Sequence, residues 1–109
     1  MEITYKNKNI QELCEQNKLA VRKLGNDSAK KLAARLSDFR AADFVTSLPA
    51  GKPHPLVRDR KGQYAVSLAG GCRVVFIPDY DKIPIASTGG VDWARVEKIK
   101  IIEIGDYHD

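Results

Sequence analysis

The chain contains two histidines, His54 and His108, and both lie in polar, punctuated stretches. His108 belongs to the terminal run Ile104-Gly105-Asp106-Tyr107-His108-Asp109, which sets a carboxylate, a phenol and an imidazole in consecutive positions. On an extended backbone successive side chains alternate faces, so Asp106 and His108 are expected to project one way and Tyr107 the other. His54 lies in Lys52-Pro53-His54-Pro55-Leu56-Val57-Arg58-Asp59-Arg60-Lys61. A proline on each side restricts its backbone to extended conformations and lowers the entropy cost of presenting the ring. Arg73 falls inside the apolar segment Cys72-Arg73-Val74-Val75-Phe76-Ile77. A guanidinium there must either reach a carboxylate or face an open concave surface.

Together these groups make up what metal-free cleavage of RNA requires. A base takes the 2′-hydroxyl proton, an acid protonates the leaving 5′-oxygen, and cations meet the charge building on phosphorus. Histidine suits both proton transfers near neutrality, and arginine matches phosphate with a fork of donors. Asp106 would fix an imidazole's tautomer or itself accept the proton, and Tyr107 would hydrogen-bond the phosphate or stack on a base. Lys52, Arg58, Arg60 and Lys61 would hold the RNA backbone on either side through contacts that weaken with salt. The same residues also fit a plainer description, a histidine filling a loop position among solvated charges. A Ser-His-Asp hydrolase lacks its G-x-S-x-G elbow here, and Gly70-Gly71 and Gly89-Gly90 lack the lysine and following helix of a nucleotide-binding P-loop.

The scaffold that must position these groups is small. At 109 residues the chain fits one domain, residues 1–109, with 43% hydrophobic and 29% charged residues, enough for a single core. A net charge of +4 favours an anionic partner such as nucleic acid. Cys14 and Cys72 are far apart and have no companions at metal-ligand spacing, so neither a metal site, a cofactor nor a disulfide framework is expected. No apolar run is long enough to span a bilayer, and the N-terminus does not resemble a signal peptide, so the expectation is a cytoplasmic protein without a membrane partner.

Alternation at Ile3 and Tyr5 predicts a short first strand, followed by one amphipathic helix carrying Ile10, Leu13, Cys14, Val21 and Leu24. Gly25 suits that helix's end, and Asp27 or Ser28 is expected to cap a second helix over about 28–43 with a stripe of Ala29, Leu32, Ala33, Leu36 and Phe39. The basic residues on these helices, Lys30, Lys31 and Arg35 among them, read first as solvated surface. A proline-rich loop over 48–62 is followed by a hairpin of 63–68 and 72–77 about Ala69-Gly70-Gly71. A surface excursion from Pro78 to Gly90 leads to a turn capped by Asp92 and a last strand, 98–104, with a bulge expected at Ile101-Ile102. The expected class is therefore α+β: an N-terminal strand and an αα-hairpin on one face of a mostly antiparallel sheet of about four strands, with the other face open for a site.

The run Leu48-Pro49-Ala50-Gly51-Lys52-Pro53-His54-Pro55-Leu56, with Asp59 through Ala65, Arg73-Val74-Val75-Phe76 and Glu103 through His108, resembles the HigB toxins, the plasmid maintenance system killer proteins of the RelE/ParE superfamily. The likeness includes the helical hairpin ending in Arg40-Ala41-Ala42-Asp43. It implies a RelE-like fold and a toxin of a type II toxin-antitoxin system, a ribosome-dependent mRNA endoribonuclease (mRNA interferase). It also implies a helix-turn-helix antitoxin of the HigA kind that binds operator DNA in complex with the toxin. Carried over by residue, it gives His54, Arg73, Asp106, Tyr107 and His108 as catalytic. Val57 stands where many relatives carry a lysine. The same superfamily holds ParE-type proteins that inhibit DNA gyrase without cleaving RNA, and this is the alternative. A basic adaptor acting only with its antitoxin on DNA is a third.

Overall fold

The structure, a computed structural model, describes residues 1–106. The chain opens with strand β1 (Glu2–Tyr5) and continues through three helices, α1 (Lys8–Glu15), α2 (Asn17–Leu24) and α3 (Asn26–Ala41). The single first helix expected from the apolar spacing is thus two. The helix breaks at Gln16, whose backbone is extended (φ −117°, ψ 100°). A continuous helix would bring Asn17 onto the apolar stripe. With the break, Asn17 is exposed and Ala20 is buried instead. Asn7 starts α1 by accepting the backbone N–H of Ile10 at 3.0 Å, which satisfies one of the donors a helix start leaves open.

Gly25 (φ +87°) is the whole joint between α2 and α3. Asp27 and Ser28 do not cap α3 as expected; they lie inside its first turn. Ser28 is buried, and its hydroxyl accepts the N–H of Ala69 at 3.2 Å, tying α3 to the hairpin turn. Along α3, Ala29, Leu32, Leu36 and Phe39 are buried, whereas Ala33 is exposed.

The remaining strands are β2 (His54–Pro55), β3 (Tyr64–Ser67), β4 (Cys72–Pro78) and β5 (Lys98–Asp106). They form a five-stranded sheet in the order β1-β5-β4-β3-β2, one more strand than expected because two residues of the proline-rich loop pair with β3. Among the described residues only the β1–β5 pairing is parallel. The predicted bulge is present. Phe76 pairs with Ile101 and Val75 with Glu103, so Ile102 is the extra residue on β5. Asp92 does not cap the following turn of Trp93–Arg95 through its side chain; it holds Arg95 Nε at 2.8 Å.

The helices cover one face of the sheet. Phe39 and Phe76 meet there edge to face, with ring centroids 5.4 Å apart, and Tyr64 and Trp93 extend the aromatic group. Val66, Val74, Ile99, Ile101 and Ile104 complete this core. Among the described residues no helix is long and apolar enough to cross a membrane.

Candidate active site

Strand alternation fixes what stands on the uncovered face. On β4, Val74 and Phe76 enter the helix-side core, so Arg73, Val75 and Ile77 point the other way. Register carries that face to both neighbours: Ser67 is opposite Arg73, Ala65 opposite Val75, and His54 opposite Ala65. On β5, Gly105 is opposite Arg73 and Glu103 opposite Val75. His54, Ser67, Arg73 and Glu103 therefore share one face, built around a small apolar patch of Leu56, Ala65, Val75 and Ile102. Gly105 adds no side chain across from Arg73.

His54 is exposed, and its ring is fixed from within its own loop. Nδ1 lies 2.8 Å from the carbonyl oxygen of Lys52. A carbonyl only accepts, so Nδ1 carries the proton and the neutral ring keeps its lone pair on Nε2. The tautomer that Asp106 was expected to set is, for His54, set by a backbone carbonyl. Two left-handed residues make this possible, Gly51 (φ +85°) and Lys52 (φ +48°). For lysine that conformation costs about 1–2 kcal/mol. Residues held in sparsely populated conformations gather at functional loops.

The four basic residues of the loop divide. Lys52 is exposed beside His54. Arg60 is not available as expected: its guanidinium meets Glu103 at 2.8 Å and donates from Nε to Gln63 Oε1 at 2.9 Å, so it closes the loop onto the sheet. Arg58, also left-handed at φ +59°, and Lys61 are exposed and border an apolar hollow of about 410 Å³ with Val57 and Trp93 at the β2 edge.

Asp106 is in register with Cys72, whose side chain joins the helix-side core, so it leaves the sheet on the face away from Arg73. A Cβ on Gly71 would come within 2.6 Å of its Oδ1, which places the carboxylate over the hairpin turn, in a hollow shared with Lys23 and Ser28. The structure sets His54 and Arg73 on the same face, with β3 between their strands, and sets Asp106 on the other. Tyr107 and His108 lie outside the described residues.

Glu103 is the residue on this face that sequence reasoning misses. Its signal was in the expected bulge: one extra residue at Ile102 turns Glu103 to the side of Arg73. Cys14 is no nucleophile here, since burial pushes its thiol up to about 12 despite the neighbouring Arg40.

No protein-family model and no curated protein matches the sequence. Among solved structures, a YoeB/ParE toxin from Agrobacterium tumefaciens is similar over 99% of this chain and 100% of that one, with a TM-score of 0.59 and 14% sequence identity. The likeness runs from end to end and is one of fold: the α+β architecture of this chain is RelE/ParE-like.

Proposed function

We propose that the chain is the toxin of a type II toxin-antitoxin pair, of the HigB kind, and cleaves mRNA on the ribosome without a metal. The observation that carries this reading is the exposed His54 ring, held by the Lys52 carbonyl through Nδ1 so that Nε2 keeps the lone pair, on the same face of the sheet as Arg73. Nε2 takes the proton of a ribose 2′-hydroxyl, and the 2′-oxygen forms a bond to the adjacent phosphorus. The bond to the 5′-oxygen breaks, giving a 2′,3′-cyclic phosphate and a 5′-hydroxyl that collects a proton from an acid. Arg73 meets the charge on the phosphate oxygens, a role that a preorganised donor fills at little reorganisation cost. His108 and Tyr107 are the proposed partners for the second proton transfer and for holding phosphate or base. Asp106, on the face away from Arg73, takes no proton in this scheme. The partners are the ribosome with its mRNA and a helix-turn-helix antitoxin of the HigA kind, which carries the complex to operator DNA. The cytoplasm is the place of action.

The test is expression of wild type, His54→Ala and a form lacking the last three residues, followed by growth, mRNA integrity and thermal unfolding of the purified proteins. Wild type is expected to arrest growth with loss of mRNA. Both variants should fold and be harmless. Unchanged toxicity of His54→Ala would overturn the nuclease reading. Arrest with intact mRNA and DNA-damage signalling would replace it with ParE-like inhibition of gyrase.

A further inference from the structure

A second basic hollow, of about 380 Å³, opens between α3 and the loop that carries His54, and is lined by Lys31, Arg35, Gly51, Lys52, Ser67 and Leu68 together with Gly70. Lysines and arginines on a helix are ordinarily solvated, yet here two from α3 face a third from the loop. Among the described residues no carboxylate lines it. Asp38 holds Arg35 Nε at 3.1 Å from one side, and even with that charge set against Arg35 the two lysines remain.

The loop is built to close over this hollow. A Cβ on Gly51 would stand 2.5 Å from Val66 Cγ1 and 3.1 Å from Arg35 Cδ, so only glycine brings the backbone this close. Its carbonyl then accepts the N–H of Ser67 at 2.7 Å. The left-handed Lys52 that follows is shared: its side chain lines the hollow, and its carbonyl orients His54. Ser67 is the common wall, because it lines the hollow and is paired across the sheet with Arg73. Three cations around one concavity are donors matched to phosphate oxygens, and nothing apolar in the lining except Leu68 invites a base.

We infer that this hollow binds a backbone phosphate of the same RNA strand whose scissile phosphate lies before His54 and Arg73. The strand therefore continues around the β3 end of the sheet toward α3. The inference rests on the nuclease reading for the identity of the strand, but its test is one of binding. A single-stranded hexaribonucleotide with 2′-O-methyl groups, which block attack, is titrated against the full chain over a range of salt, and the same is done with a dinucleotide.

Lys31→Gln, an exposed change, should reduce the slope of log affinity against log salt for the hexamer by about 0.7, the value for one phosphate no longer neutralised on a single strand. It should leave the dinucleotide's affinity unchanged, and Arg35→Lys should largely restore what Arg35→Gln removes. Equal slopes for wild type and Lys31→Gln, or equal weakening for hexamer and dinucleotide, would overturn the inference, as would failure of the hexamer to bind. If the wild type binds as expected but leaves mRNA intact even on translating ribosomes, the nuclease reading fails and the phosphate site stands.

Discussion

The two faces of the sheet are held by different physics. On the helix side Phe39, Val66, Val74, Phe76, Ile99 and Ile101 have essentially no exposure, and stability comes from area removed from water and from close contact among rings. On the open side the packed apolar patch is small, Leu56, Ala65, Val75 and Ile102, and beside it stand polar groups with specific partners: His54 on the Lys52 carbonyl, Arg60 on Glu103 and Gln63. A chain that needed only to fold would have little use for an arginine and a glutamate in its central strands. Their presence sets this face apart from one built for cohesion alone.

The sharpest way to break this comparison is to remove a ring from the covered side. Phe76→Ala should cost about 3–5 kcal/mol, because Phe39, Tyr64 and Trp93 all lean on that ring and cannot close the gap together. Chemical denaturation would measure it. A change under about 1 kcal/mol would mean that the aromatic group is not the core's centre.

The division between faces also marks how far a sequence can be read. Periodicity locates the covered side well, since Val66, Val74 and Phe76 enter it while Ala65 and Val75 form the small patch opposite, and the bulge at Ile102 follows from two adjacent isoleucines breaking alternation. Proline placement picks out the His54 loop because proline acts locally. Relations depending on side chains from distant segments are not legible: the Arg60 pairing with Glu103, the hydroxyl of Ser28 reaching Ala69, and Asp106 falling on the far face once the bulge resets the register. The first helix departs from expectation for a related reason, since a stripe with one polar gap, Asn17, fits both a long helix and a broken one.

Gly51 joins the two regions, touching Val66 of the core and carrying the loop that holds His54. Gly51→Ala meets both a left-handed φ and a short contact, and should destabilise by about 1–3 kcal/mol. Activity should fall further than the reduced stability explains, because Lys52 and His54 move with it. Equal activity at temperatures where the variant is folded would show that the loop's backbone does not set the ring.

On the open face a smaller effect is expected. Glu103→Gln removes the charge that Arg60 meets, with both side chains partly screened by water, at 18% and 28% exposure. The cost should be about 1 kcal/mol or less. The same change takes a negative charge away from beside Arg73, so affinity for single-stranded RNA should rise slightly, as filter binding at low salt would register. Reduced affinity would make Glu103 a contact to RNA in its own right.

The last effect belongs to the covered side and appears only in alkali. Burial raises the Cys14 thiol to about 12 from its ordinary 9.0, and burial also raises Tyr5 and Tyr64. Well below pH 9 the thiol is protonated in both folded and unfolded chains, and stability does not depend on it. Between about 9 and 12 the unfolded chain has released that proton while the folded one retains it, so the folded state binds more protons and stability must fall as pH rises. The tyrosines add a fall of the same sign that begins later, near 10, where an unfolded phenol ionises. Cys14→Ala should therefore flatten the curve between about pH 9 and 10 and leave the steeper decline above it. Unfolding free energies of the two proteins at about pH 8, 9.5 and 10.5 would test this. A wild-type curve already flat to about pH 10 would mean that the thiol reaches water and that α1 covers the sheet more loosely than its buried Ile10 implies.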